Sequence, residues 1–372
     1  MRPFPTLSIG DLTAPVSIIQ GGMGVGISLS GLSSAIANYG GIGVIATAGI
    51  GTTEPDFFSN YIKANERALR YEIRKARAAT EGILGINIMG AMTNFKETVE
   101  TAIEEGIDVI FSGAGLPLNL PKLRPSNART KLVPIISSGR AAAMICRKWT
   151  EKFDYLPDAI VVEGPLAGGH LGFHLDQIFD PDYALEKLIP QVIEAVQPFA
   201  EKYGKPIPVI AAGGIYTGAD ILKFIELGAS GVQMGTRFVV THECDASDKF
   251  KQGYLDCKKE DIIIIKSPVK MPGRCISNPF IEAMNRGEKE PFQCPYHCIS
   301  TCDYLNSPYC IAMALIQAKR GNFKHGFSFA GANAYRTDKI LSVKELIDEL
   351  VQEYNDAALL AARTEDPTNP QH

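Results

Sequence analysis

No stretch of this chain approaches the ~18 consecutive apolar residues of a membrane-crossing helix, although 45% of its 372 residues are hydrophobic. That pairing excludes a spanning segment and leaves ample material for a large core. An excess of one charge is equally lacking. The 37 basic and 41 acidic residues give a formal net charge of −4 and are mixed along the chain, so no basic face is available for nucleic acid. The opening "MRPFPTLSIG" has no apolar h-region of a secretory signal. A soluble, cytoplasmic protein is therefore expected, in which eight cysteines stay reduced and do not imply disulfides. No internal repeat of roughly 20–50 residues is present.

What the sequence has instead is a rhythm. Short apolar runs recur as "APVSIIQ" (14–20), "IGVIATA" (42–48), "ILGINIM" (83–89), "DVIFSGA" (108–114), "LVPIISS" (132–138), "AIVVEGP" (159–165), "PVIAAGG" (208–214) and "GVQMGTR" (231–237). Each is continuous rather than alternating, as in parallel strands covered on both faces. Helical patterns lie between most of them, for example over 185–203 and 218–228. Eight strand–helix alternations predict a (β/α)8 TIM barrel rather than an open sheet. The rhythm breaks over 244–324, which holds one further strand pattern, "DIIIIK" (261–266), and reads as a small lid inserted after strand 8. It resumes at 326–336 and in a closing helix over 341–361. The expected organisation is a barrel of residues 1–243 plus 325–362, a cysteine-containing lid, and a disordered tail over 363–372.

Glycines crowd the predicted strand ends: "QGGMG" (20–24), "NIMG" (87–90), "SGAG" (112–115), "EGPLAGGH" (163–170), "AAGGI" (211–215) and "MGTR" (234–237). Any one of them could simply make a tight turn. Six on one barrel face predict a flat, bulky ligand that backbone must approach closely, on the face where barrel enzymes place their chemistry. The ends of strands 7 and 8 are the common phosphate site of such barrels. There Gly213, Gly214, Gly235 and Thr236 offer amides and a hydroxyl that can hold a phosphate without lysine. Flavin mononucleotide (FMN) fits a flat ligand with a phosphate.

Together, "IIQGGMG", "GINIM", "SGAG", "PDAIVVEGPLAGGHLG", "IPVIAAGGIYTG", "GASGVQMGTRFV" and "FAGANA" resemble the nitronate monooxygenases (2-nitropropane dioxygenases) and the related flavin-dependent enoyl-acyl-carrier-protein reductases. The resemblance covers roughly 14–243 and 326–336. It implies an FMN barrel with Gly22 and Met23 against the flavin ring, Asn87 at its polar edge, and Gly169 turning the backbone beside it. It also implies that His170 is the active-site base, which removes an α-proton from a nitroalkane at a pKa near the ordinary ~6.5 of histidine. Oxygen would then complete oxidation of the nitronate. The alternatives are reduction of enoyl thioesters with NAD(P)H and a flavin redox sensor without turnover. The partners implied are a small-molecule substrate with O2 or NAD(P)H; oligomeric state is left open.

Two features depart from the resemblance. "CPYHCISTCDYLNSPYC" (294–310) concentrates Cys294, Cys298, Cys302 and Cys310. Pro295 could open a helix that aligns the first three sulfurs. Four thiolates suit a [4Fe–4S] cluster or a structural zinc, while reduced thiols packing the lid are the plainer reading. "KSPVKMPGR" (266–274) places Lys270 and Arg274 where they face the flavin mouth or solvent. Asn333 stands where relatives carry an "AGQ" turn. His174, four residues after His170, is a weak metal-site match.

Overall fold

The computed structural model describes residues 3–364. A hairpin of β1 (Leu7–Ile9) and β2 (Leu12–Ala14) opens the chain. There follow β3 (Ile18–Gln20), β4 (Gly43–Ala46), β5 (Leu84–Met89), β6 (Val109–Gly113), β7 (Lys131–Ile136) and β8 (Ile160–Glu163). After the two-residue β9 (Gly169–His170) come β10 (Val209–Ala212) and β11 (Gly231–Met234), then the antiparallel pair β12 (Ile262–Lys266) and β13 (Pro272–Ile276). Eight strands pair in parallel in the order β3-β11-β10-β8-β7-β6-β5-β4. A parallel bridge between Ile19 and Ile42 joins the ends. The result is a (β/α)8 TIM barrel, and each of its strands coincides with one of the eight apolar runs, β7 starting one residue ahead of its run at Lys131.

Continuous rather than alternating hydrophobicity has a direct cause here. Ile19, Val44, Val109, Phe111, Val133, Val161 and Ile210 fill the barrel interior together with Leu7, Ile9 and Ala14 of the opening hairpin. The intervening Ile18, Ile45, Ile110, Leu132, Ile160 and Val209 pack outward against the helices. Both faces are largely dry, so most strand positions on either face are apolar. Gly85 belongs to this inner layer, because a Cβ there would lie 2.8 Å from the ring of Phe111.

The seam between β3 and β4 is thin, and Gln20 reinforces it. Its buried amide accepts the Val44 N–H at 3.0 Å and donates to the Gly21 carbonyl at 2.6 Å. Gln20→Leu keeps the volume but leaves a buried N–H and a buried carbonyl without these partners, at a cost of about 2–4 kcal/mol. Urea unfolding of the two proteins measures it; a loss below about 0.5 kcal/mol would remove Gln20 from this role.

Among the helices, Leu185–Tyr203 presents Leu188, Ile189, Val192 and Val196 inward and stops at left-handed Gly204. Gly218–Glu226 begins at a reciprocal cap between Thr217 and Asp220. The closing helix is Val343–Thr364, so the tail expected to be disordered includes its last two residues, and 365–372 lie outside the described residues. Within 326–336, Phe329 makes an antiparallel bridge to Cys275. One expectation fails. Pro295 opens no helix, because the chain turns instead through left-handed His297 (φ 44°). Among the described residues no helix is long and apolar enough to cross a membrane.

Candidate active site

The C-terminal ends of the barrel strands surround a cavity of about 1210 Å³. Its walls carry little side chain where the sequence places glycines. Gly22, Gly24, Gly113, Gly115, Gly213 and Gly235 all line it, with Met23 and Asn87 beside them. Gly22 is required by close packing, since a Cβ there would meet the Asn87 Cβ at 2.3 Å. Asn87 is fixed from behind: its carbonyl accepts the Thr47 N–H at 3.0 Å and the Thr47 hydroxyl at 2.9 Å.

At the ends of β10 and β11 the backbone forms a cradle. Gly213 and Gly214 take φ of 96° and 82° in succession, a turn open to few residues other than glycine. The Thr236 hydroxyl accepts the Gly331 N–H at 3.1 Å, and Asn333 Nδ2 donates to the Gly214 carbonyl at 2.6 Å. Asn333 therefore braces the cradle. A Cβ on Gly235 would meet nothing closer than Met23 Sδ at 3.8 Å, so the backbone there is open to the cavity.

His170 sits on β9, which pairs with β13 so that Gly273 faces it. Gly169 precedes it at φ 79°, and Gly168 passes against the backbone of Ala330 and Gly331 too closely for any Cβ. The half-buried imidazole shares a hydrogen bond of 2.8 Å between Nε2 and Ser267 Oγ, and its ring meets Phe329 edge-on at 4.9 Å. Burial lowers its pKa to about 4, which corrects the expectation of an ordinary value: the surroundings desolvate the ring and supply no carboxylate. Glu163, at the end of β8, also lines the cavity, and burial pushes its carboxyl up to about 7.

The β12–β13 hairpin supplies what sequence reasoning missed. Ser267 is at its tip, buried, with the Val269 N–H directed at its hydroxyl at 3.3 Å; in the sequence it is one small residue among the charges of "KSPVKMPGR". Lys270 is exposed and lines the cavity mouth, as does Lys266. Arg274 is not at the mouth. It is 5% exposed and donates to the carbonyls of Pro165 and Ala167, both at 2.6 Å. That buried cation clamps the glycine turn ahead of His170. His174 is exposed, and among the described residues no group of three or more His, Cys, Asp or Glu is arranged to hold a metal ion. A zinc ion at Cys294, Cys298, Cys302 and Cys310 thus has no preformed site.

The family model for nitronate monooxygenase matches residues 8–353. The chain is 30% identical over 272 residues to the (3aS,4S,5R,7aS)-5-hydroxy-7a-methyl-1-oxo-octahydro-1H-indene-4-carboxyl-CoA dehydrogenase of Mycobacterium tuberculosis, across 73% of this chain and 66% of that relative. It is 29% identical over 304 residues to a probable nitronate monooxygenase of Staphylococcus aureus (strain Newman), across 74% and 79% of the two chains. The solved structure of FabK from Thermotoga maritima superposes with a TM-score of 0.72 at 27% identity, covering 94% of this chain and 96% of that one. A family match over nearly the whole barrel, on a chain whose glycine-walled cavity opens where barrel enzymes react, leads to one assignment: the chain belongs to the nitronate monooxygenase family of oxidoreductases.

Proposed function

We propose that the protein is an FMN-dependent oxidoreductase acting on nitroalkanes and nitronates, with His170 as the base. The observation that carries this reading is an imidazole on a glycine turn, held by Ser267 at 2.8 Å in the wall of the cavity. The residues present fit FMN. The cavity exceeds the ~300–1,000 Å³ of ordinary ligand pockets, with room for a cofactor and a substrate, and the paired left-handed glycines make a turn suited to phosphate. Gly213, Gly214, Gly235 and Thr236 would hold the phosphate; Gly22, Met23, Asn87 and Gly169 would border the ring. FMN, when bound, supplies the electron acceptor.

The chain's own residues supply the proton chemistry. In the tautomer whose Nε2–H is donated to Ser267, Nδ1 keeps its lone pair for the substrate proton. The imidazolium that forms is costly in this setting until the nitronate anion forms beside it, when ion pairing offsets part of the desolvation. Ser267→Ala removes the acceptor for Nε2–H. Loss of one hydrogen bond of about 1–1.5 kcal/mol corresponds to a roughly tenfold slower proton abstraction. The primary deuterium isotope effect and kcat/KM on an α-deuterated nitroalkane check it, with turnover of the preformed nitronate unchanged. Equal losses on both substrates would count against the arrangement.

A second reading, reduction of an enoyl thioester with NAD(P)H, is favoured by the size of the cavity and by Lys266 and Lys270 at its edge, which suit a large anionic substrate. Anaerobic titration of the flavin band decides between them. Bleaching by a nitronate but not by NADH or NADPH supports the monooxygenase; rapid bleaching by either nucleotide selects the reductase.

A further inference from the structure

We infer that Cys294, Cys298, Cys302 and Cys310 bind an iron–sulfur cluster of the [4Fe–4S] class in the wall of the cavity. The inference does not depend on which substrate is reduced or oxidised. All four thiols are free and partly exposed, whereas the other four cysteines are buried. The segment is not helical, so regular spacing along a helix face does not bring the sulfurs together. Individual turns set their positions instead. Left-handed His297 directs its N–H to Cys294 Sγ at 3.3 Å, and its Nε2 meets the Cys302 carbonyl at 3.0 Å. Cys310 immediately precedes the helix Ile311–Lys319, whose Ala312 and Met313 amides reach its thiol, and Ser307 reaches that of Cys302. Hydrogen bonds to sulfur of this kind are among the levers that tune cluster thiolates.

The four sulfurs are also electrostatic neighbours. Negative charge on Cys310, Cys294 or Cys302 is felt at Cys298, so thiolates gathered here repel one another unless a cation lies among them. A polycation between them reverses that penalty. One metal ion needs ligands converging on one point, which these do not do. In a cubane each thiolate binds its own iron, so the ligands stand further apart.

The loop is fastened in place. Thr93 N–H donates to the Cys298 carbonyl at 3.1 Å and Ser300 N–H to the Ala91 carbonyl at 2.9 Å, tying it to the loop after β5. Tyr296 stacks on Tyr61 at 4.2 Å and 6°, so aromatic surface covers one side. Cys298 lines the same cavity as Met23 and His170. The cluster would therefore be a second redox centre beside the first.

The test is metal and sulfide analysis of the full chain purified without oxygen, and again after treatment with ferrous iron, sulfide and dithiothreitol. About four irons and four acid-labile sulfides per chain, with a low-temperature paramagnetic signal after dithionite reduction, are expected. Cys298→Ser and Cys310→Ser should lose the iron while Cys257→Ser retains it. Fewer than one iron per chain in protein that still melts cooperatively overturns the inference, as does one zinc per chain without sulfide. These outcomes need only the unmutated protein, so misfolding of a variant does not shield the idea. Flavin is measured on the same sample: flavin without iron removes the cluster alone, and iron without flavin removes the FMN reading alone.

Discussion

Replacing His170 with alanine is expected to slow turnover of neutral nitroalkanes by about 10²–10⁴-fold, the usual worth of a positioned base. FMN should stay bound, because the cradle at Gly213, Gly214, Gly235 and Thr236 lies on β10 and β11, remote in sequence from β9. Preformed nitronates should be oxidised at close to the unmutated rate, since their proton is already gone. That split between substrates is the decisive reading. Parallel losses on both would mean that His170 orients the substrate or shapes the pocket.

The depressed pKa makes a second expectation for the same residue. At about 4, His170 stays neutral and competent well below the ~6.5 at which a free histidine protonates. The acid limb of kcat/KM on nitroalkanes assigned to this group should therefore fall near pH 4. Stability follows the same sign. Between about pH 6.5 and 4 the unfolded chain binds a proton at this site and the native one does not, so stability falls as pH drops through that window. The full loss is at most about 3–4 kcal/mol, the free-energy equivalent of the shift. His170→Gln should flatten that part of the urea-midpoint profile. An unchanged profile would mean that the ring titrates normally.

The barrel was legible in the sequence because its signal is redundant. Each strand is dry on both faces, so eight apolar runs each carried the same message, and glycines marked one rim. The cradle was legible for a similar reason: few residues other than glycine accept consecutive left-handed turns such as those at Gly213 and Gly214. The hairpin residues were harder to read. Ser267 and Arg274 act through partners about a hundred positions away, at His170 and at the carbonyls of Pro165 and Ala167. Nothing in local spacing reports such a contact, and an arginine near a site invites a reading by charge. The helix expected from Pro295 failed because a local start signal carries no information about the turn through His297 that follows.

Gly168→Ala is expected to disable both halves of the site. A Cβ there would stand 2.5 Å from the Ala330 carbonyl carbon and 2.6 Å from the Gly331 nitrogen, and these are backbone atoms that no rotamer change can move. One of the two segments must shift. On one side is the turn that Arg274 clamps and that carries His170. On the other, Gly331 donates to Thr236 Oγ1 at 3.1 Å and Ala332 to the Leu166 carbonyl at 3.1 Å, so movement reaches the glycine cradle at the ends of β10 and β11. Overpacking of this kind costs about 1–3 kcal/mol, and misplacing a reacting group by ~1 Å can cost about 10²-fold in rate. The expected result is a folded protein with weaker FMN retention and at least that loss in kcat. Gly204→Ala is the control: its φ of 61° ends the helix Leu185–Tyr203 and a Cβ there meets nothing within 4 Å. It should cost about 1–2 kcal/mol of left-handed strain and leave turnover untouched. If Gly168→Ala behaves like Gly204→Ala, the close passage of the two loops is not what positions His170.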